Sequence, residues 1–99
     1  MNMQAILKQA QSLQKDMMKT KDELDKMEFT GTSSLVSAKV NGKKEVLNVK
    51  INVDDNFDVS DMEMLEEMIQ VAINDAFKQV DKETDKKMGK YSNMMPGMF

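Results

Sequence analysis

The sequence predicts an α+β fold, a small antiparallel sheet between two long helices, and three observations predict it. Apolar residues recur at helical spacing over residues 3–27 and again over 61–87. Between them, residues 28–53 turn to β-branched residues in strand-like alternation. Asn41-Gly42 punctuates that stretch with the strongest short hairpin signal. A chain of 99 residues is one small domain. Residues 1–90 are expected to form it, with 91–99, YSNMMPGMF, as a flexible tail.

The first helix carries a heptad seam. Met3, Ala10, Met17 and Leu24 recur every seven residues, and Ile6, Leu13, Thr20 and Met27 form a second row three residues on. The stripe packs either on the protein's own sheet and second helix or on another chain. Glu28–Ser33 reads as a short edge strand, with Gly31 marking a bend or bulge. Val36, Ala38 and Val40 alternate before the Asn41-Gly42 turn, and Leu47, Val49 and Ile51 alternate after it. Each strand should therefore have one buried face, joined by a type I′ turn.

Asp54, Asn56 and Asp58 stand at alternating positions, as at the start of a calcium loop. Val59 sits where that loop needs glycine, and Leu65 where it needs the bidentate glutamate, so no metal site is expected. Helix punctuation explains the stretch better, with Ser60 three residues before Glu63 as a capping box and acids near the positive end of the helix dipole. The second helix should run from about Asp61 to Lys87. Its main stripe is Met62, Leu65, Ile69, Ala72, Ile73, Ala76, Phe77 and Val80. Met64, Met68 and Val71 lie away from that stripe, which makes the first half apolar on two sides and nominates these three for a dimer interface. Asn74-Asp75 reads as a structural polar pair, capping backbone in a neighbouring chain.

Composition removes several functions. There is no cysteine and no histidine, so disulfides, thiol nucleophiles and imidazole catalysis are absent. No glycine-rich phosphate loop or catalytic triad is present, and neither an enzyme nor a cofactor or small-molecule site is expected. No apolar run is long enough for a membrane span, and the polar N-terminus is unlike a secretory leader. A cytoplasmic protein is the expectation.

Net charge is −3, but the charge is segregated. Residues 54–67 hold seven acids and no lysine, whereas residues 78–90 hold five lysines. Both helices are longer than the strands and must overhang the sheet. Their free ends, the start of the first and the end of the second, would lie together in one projecting arm. That arm would carry Lys8, Lys15, Lys78, Lys82, Lys86, Lys87 and Lys90. These lysines are either a solvated helix face, supported by Asp81, Glu83 and Asp85, or a surface for a polyanion. All fourteen cations are lysine, which suits point contacts to phosphate and leaves no guanidinium fork for guanine edges.

Four strings and their order resemble the YbaB/EbfC family of bacterial nucleoid-associated proteins. They are LKQAQSLQKDM (7–17), EFTG (28–31), VNGKKEVLNVKIN (40–52) and EMLEEMIQVAINDAF (63–77), followed by the C-terminal PGMF. The resemblance implies an α-β-β-β-α protomer, a tweezer-like homodimer with protruding helices, and binding to double-stranded DNA. It implies association with the nucleoid and no enzyme activity. The alternative is a methionine-rich interaction module without direct DNA binding. Twelve methionines are present, and Met17, Met18, Met27, Met64 and Met68 could line an adaptable cleft.

Overall fold

A computed structural model describes residues 2–94, with side chains as far as Tyr91. The elements are α1 (Met3–Lys26), β1 (Glu28–Ser33), β2 (Val36–Asn41), β3 (Val46–Ile51), a 3-10 turn (Val59–Asp61) and α2 (Met62–Met94). The strands form one antiparallel sheet in the order β1-β2-β3. This is the α-β-β-β-α protomer that the sequence implies.

Helix α1 begins at Asn2, whose side-chain oxygen accepts from the Gln4 backbone N–H at 3.0 Å and so satisfies one orphan donor of the first turn. Met27 ends it by turning extended, and β1 starts at once. Strands β1 and β2 pair without interruption from Glu28–Asn41 to Ser33–Val36. Strand alternation then puts Val36, Ala38 and Val40 on one face, and all three are buried. Helix α2 lies across that face with Leu65, Ala72, Ala76 and Val80 turned inward. Burying each larger side chain of this layer stabilises by about 1.5–3 kcal/mol.

Gly31 is not a bend or bulge, because the ladder is regular through it. A Cβ there would stand 2.1 Å from the Ala72 carbonyl oxygen and 2.4 Å from the Ala76 nitrogen. The glycine, with two alanines facing it, lets the helix backbone touch the strand.

The β2–β3 connection also differs from expectation. It is a four-residue loop, 42–45, and not a two-residue type I′ turn; the positive φ belongs to Lys44, at 63°. Asn41 acts through its side chain, accepting from the backbone N–H groups of Lys43 at 2.9 Å and Glu45 at 3.0 Å. That Asx-type bonding organises the loop without a left-handed asparagine. Gly42 is needed for space, since a Cβ there would meet the Leu24 carbonyl at 1.8 Å. The hairpin thus abuts the last turn of α1.

The β2–β3 ladder slips by one residue between Lys39 and Val40. Lys39 pairs with Asn48 and Val40 with Val46, which leaves Leu47 as the extra residue of a bulge. Val46 therefore replaces Leu47 in the row expected of Leu47, Val49 and Ile51. The expected burial of that row is overturned too: Val46, Leu47, Val49 and Ile51 are 37–49% exposed. The reason is coverage. Helix α2 spans β1 and β2, and among the described residues no element is laid over β3.

Asp58, and not Ser60, caps the start of the second helical segment. Asp58 and Asp61 form the reciprocal box, the Asp61 carboxylate accepting from the Asp58 backbone N–H at 3.1 Å. At the far end, α2 continues past Lys87 to Met94, and the expected start of the tail falls inside the helix. Tyr91 is 3% exposed and anchors these turns. Residues 95–99 lie outside those described.

The arm forms where α2 leaves the sheet and runs antiparallel to α1. Met17, Leu24, Met88 and Tyr91 are its buried residues, with Leu13, Met27 and Phe29 packed around them. Thr20 interrupts the apolar seam because its hydroxyl meets the Tyr91 hydroxyl at 3.3 Å. The molecule measures 72 × 19 × 14 Å.

Candidate nucleic-acid interface

The arm brings the nominated lysines to one part of the molecule but not to one face. Leu13, Met17, Thr20 and Leu24 turn toward α2, so at 3.6 residues per turn Lys8 and Lys15 fall on the outer side of α1. Val80, Thr84, Met88 and Tyr91 turn inward on α2, which leaves Lys78, Lys82, Lys86 and Lys90 on its outer side. The two rows therefore look outward from opposite sides of the arm. All six are exposed, whereas Lys87 is half-buried nearer the helix seam.

Their surroundings separate them further. Lys78 and Lys82 share a shallow surface depression with Asp75, Asp81 and Asp85. Asp81 pairs at 2.6 Å with Lys44 from the β2–β3 loop, whose ammonium also lies 5.9 Å from the Phe77 ring. Lys87 stands 3.6 Å from Glu83, the i,i+4 partner expected. Lys90 sits 5.0 Å from the Tyr91 ring centre, a cation–π contact. Lys19 extends the outer row of α1 and escaped sequence reasoning because Asp16, Asp22 and Glu23 crowd it in the linear chain. The acids of residues 54–67 lie at the opposite end of the molecule, around the 3-10 turn and the first turn of α2.

The nominated dimer residues occupy one ridge. Met64 and Val71 are 45% and 53% exposed, and Met68 is half-buried against the Val36 cluster. Asp75, on the same flank, serves its own chain and not a neighbour: it accepts from the Thr32 backbone N–H at 3.2 Å, and Gln79 donates to the Thr30 carbonyl at 2.8 Å. The five methionines proposed for an interaction cleft are not brought together. Met17 and Met27 belong to the arm cluster, Met68 packs near Val36, and Met18 is exposed on α1. Among the described residues, no helix is long and apolar enough to cross a membrane, and no group of acids is placed to hold a metal.

A three-stranded sheet backed by one long helix, with a second helix paired to that helix's overhang, defines a class of α-β-β-β-α proteins that present lysines on a projecting arm. The chain belongs to the YbaB/EbfC DNA-binding family, whose model matches residues 1–95. It is 46% identical to a nucleoid-associated protein of Streptococcus sanguinis over 98 residues, covering 97% of this chain and 98% of the relative. It is 42% identical to a nucleoid-associated protein of Clostridium novyi, covering 100% and 90% respectively. The fold is shared with an uncharacterized protein of Helicobacter pylori, at a TM-score of 0.71 and 21% identity over 96% of this chain and 98% of that one.

Proposed function

We propose that this protein is a dimeric DNA-binding protein of the bacterial nucleoid, holding duplex DNA mainly through lysine–phosphate contacts with weak sequence specificity. The observation that carries the reading is the separation of charge along a 72 Å molecule, with exposed lysines on the arm and the acidic stretch at the other end. Family membership and the names of the relatives support DNA as the polyanion. Lys8, Lys15 and Lys19 on α1, and Lys78, Lys82, Lys86, Lys87 and Lys90 on α2, are the proposed contacts, with the tip contributing most. Lysine without arginine gives neutralisation without base reading.

Two copies join through apolar surface that one chain leaves exposed. Met64, Met68 and Val71 offer one such surface, and β3 offers a second. With about three phosphate contacts per arm and two arms, log affinity falls against log salt with a slope near −5. Fluorescence anisotropy of a labelled duplex, titrated with salt, measures that slope. Replacing Lys86, Lys87 and Lys90 by Gln should bring it to roughly half. An unchanged slope would move the contacts off the arm tip.

A further inference from the structure

We infer that the open face of the sheet, opposite α2, is a second phosphate-binding surface, made by Lys39 and Lys50 with the side chains between them, and that its occupant is the backbone of duplex DNA. The inference rests on the DNA reading above and adds a contact away from the arm. Strand alternation turns Val36, Ala38 and Val40 toward α2, so Ser37 and Lys39 stand on the opposite side. The ladders complete that side in two rows. Thr30, Lys39 and Asn48 lie abreast in one, and Thr32, Ser37 and Lys50 in the next. Thr30, Ser37, Lys39, Asn48 and Lys50 line one shallow depression.

A solvated face is ordinary in an antiparallel sheet, but it is ordinarily mixed in charge, with lysine set against an acid across the strands. This face is not, in a chain whose acids outnumber its lysines by 17 to 14. No carboxylate lines the depression. Lys50 stands in none of the ion pairs of the described residues, and Lys39 has only Glu28, 3.9 Å away at the rim, with both side chains about half exposed. Such a pair is weak. The two lysines are diagonal neighbours on β2 and β3, about 7–8 Å apart at the backbone. A phosphate between them meets both ammonium groups and relieves their mutual repulsion. Thr30, Ser37 and Asn48 add short donors at the same level, and lysine, hydroxyl and amide groups are those with which proteins hold phosphate oxygens without reading bases. The surface has a limit. At the hairpin end, Asp22, Asp25, Glu28 and Glu45 line a separate depression with Lys26 and Lys43, which stands between the sheet face and the arm.

Salt titration of labelled duplex by fluorescence anisotropy tests the site. Each lysine that replaces a condensed counterion contributes about 0.9 to the slope. Lys39→Gln with Lys50→Gln should therefore flatten the slope by about 1.8 for each copy bound, on top of the arm's share, with the urea midpoint unchanged. Lys39→Arg with Lys50→Arg keeps the charge and should keep the slope. Thr30→Val removes a hydroxyl and no charge, so affinity should fall by about threefold at constant slope. Lys26→Gln with Lys43→Gln makes the same change in net charge within the acidic depression and should leave the slope as it is. Equal flattening by the two glutamine pairs would overturn the site, because net charge alone would then account for it. A wild-type slope retained by Lys39→Gln with Lys50→Gln, while the arm-tip variant is flattened, would also overturn it and leave the DNA reading standing. A wild type that ignores duplex would remove both.

Discussion

The sheet end and the arm are built from the same two helices, yet they are held together by different means. At the sheet, backbone touches backbone: Gly31 sits under Ala72 and Ala76, and Ala38, Val40, Ala72 and Ala76 are wholly buried. On the arm, α1 is attached through four buried side chains, Met17, Leu24, Met88 and Tyr91, and one hydroxyl contact. Beyond Leu13 toward its start, α1 packs on nothing described, and Met3 and Leu7 are 71% and 57% exposed. The difference teaches that packing is closest at the sheet end, while the charged arm is held by a small side-chain cluster alone. The exposed lysines of the arm can therefore be replaced with little cost to the core.

The largest effect expected is at the close approach. Gly31→Leu would drive a side chain into the α2 backbone and should cost at least about 3 kcal/mol, seen as a collapse of the urea midpoint. If the midpoint hardly moves, the contact between strand and helix is looser than described. Leu24→Ala should cost about 2–4 kcal/mol, but within the arm cluster. The protein has one tyrosine and no tryptophan, so Tyr91 fluorescence reports the arm alone while circular dichroism follows the whole. The Tyr91 transition should precede the main one in this variant; coincident transitions would show that arm and sheet melt as a unit. Asp75→Ala would leave the Thr32 N–H unpaired at the β1 edge, a loss of about 1 kcal/mol, with faster hydrogen exchange at Thr32 as its signature. The smallest effect on stability is expected from Lys86, Lys87 and Lys90 replaced by Gln, within about 0.5 kcal/mol by urea denaturation, although the same change should flatten the salt dependence proposed for DNA binding.

Much of the fold was legible because periodicity reports the face a residue must turn inward. The alternation of Val36, Ala38 and Val40, the α1 rows from Leu13 to Met27 and the α2 stripe from Leu65 to Val80 placed their residues correctly, whereas Met3, Ile6 and Ala10 of the rows and Met62 of the stripe are exposed. Details that depend on one neighbour failed. Asn41-Gly42 looked like a two-residue turn because glycine usually supplies a positive φ, whereas this glycine supplies space beside Leu24. The bulge at Leu47 left no trace in the alternation, since Val46 and Leu47 are equally apolar. The lysines of the arm were legible as a set, but their division between two outward faces required knowing which side of each helix is buried. That Lys78 and Lys82 share one surface depression with Asp75, Asp81 and Asp85 likewise required the folded helix.

The sequence by itself determined the order of elements, the segregation of charge and the lack of cysteine and histidine, because these follow from residue type and spacing along one chain. Tertiary structure alone decided which strand stays uncovered, which sheet edge is closed and which way each lysine of the arm faces. Those outcomes depend on where a helix of fixed width crosses a sheet wider than itself, a distance that no local pattern encodes.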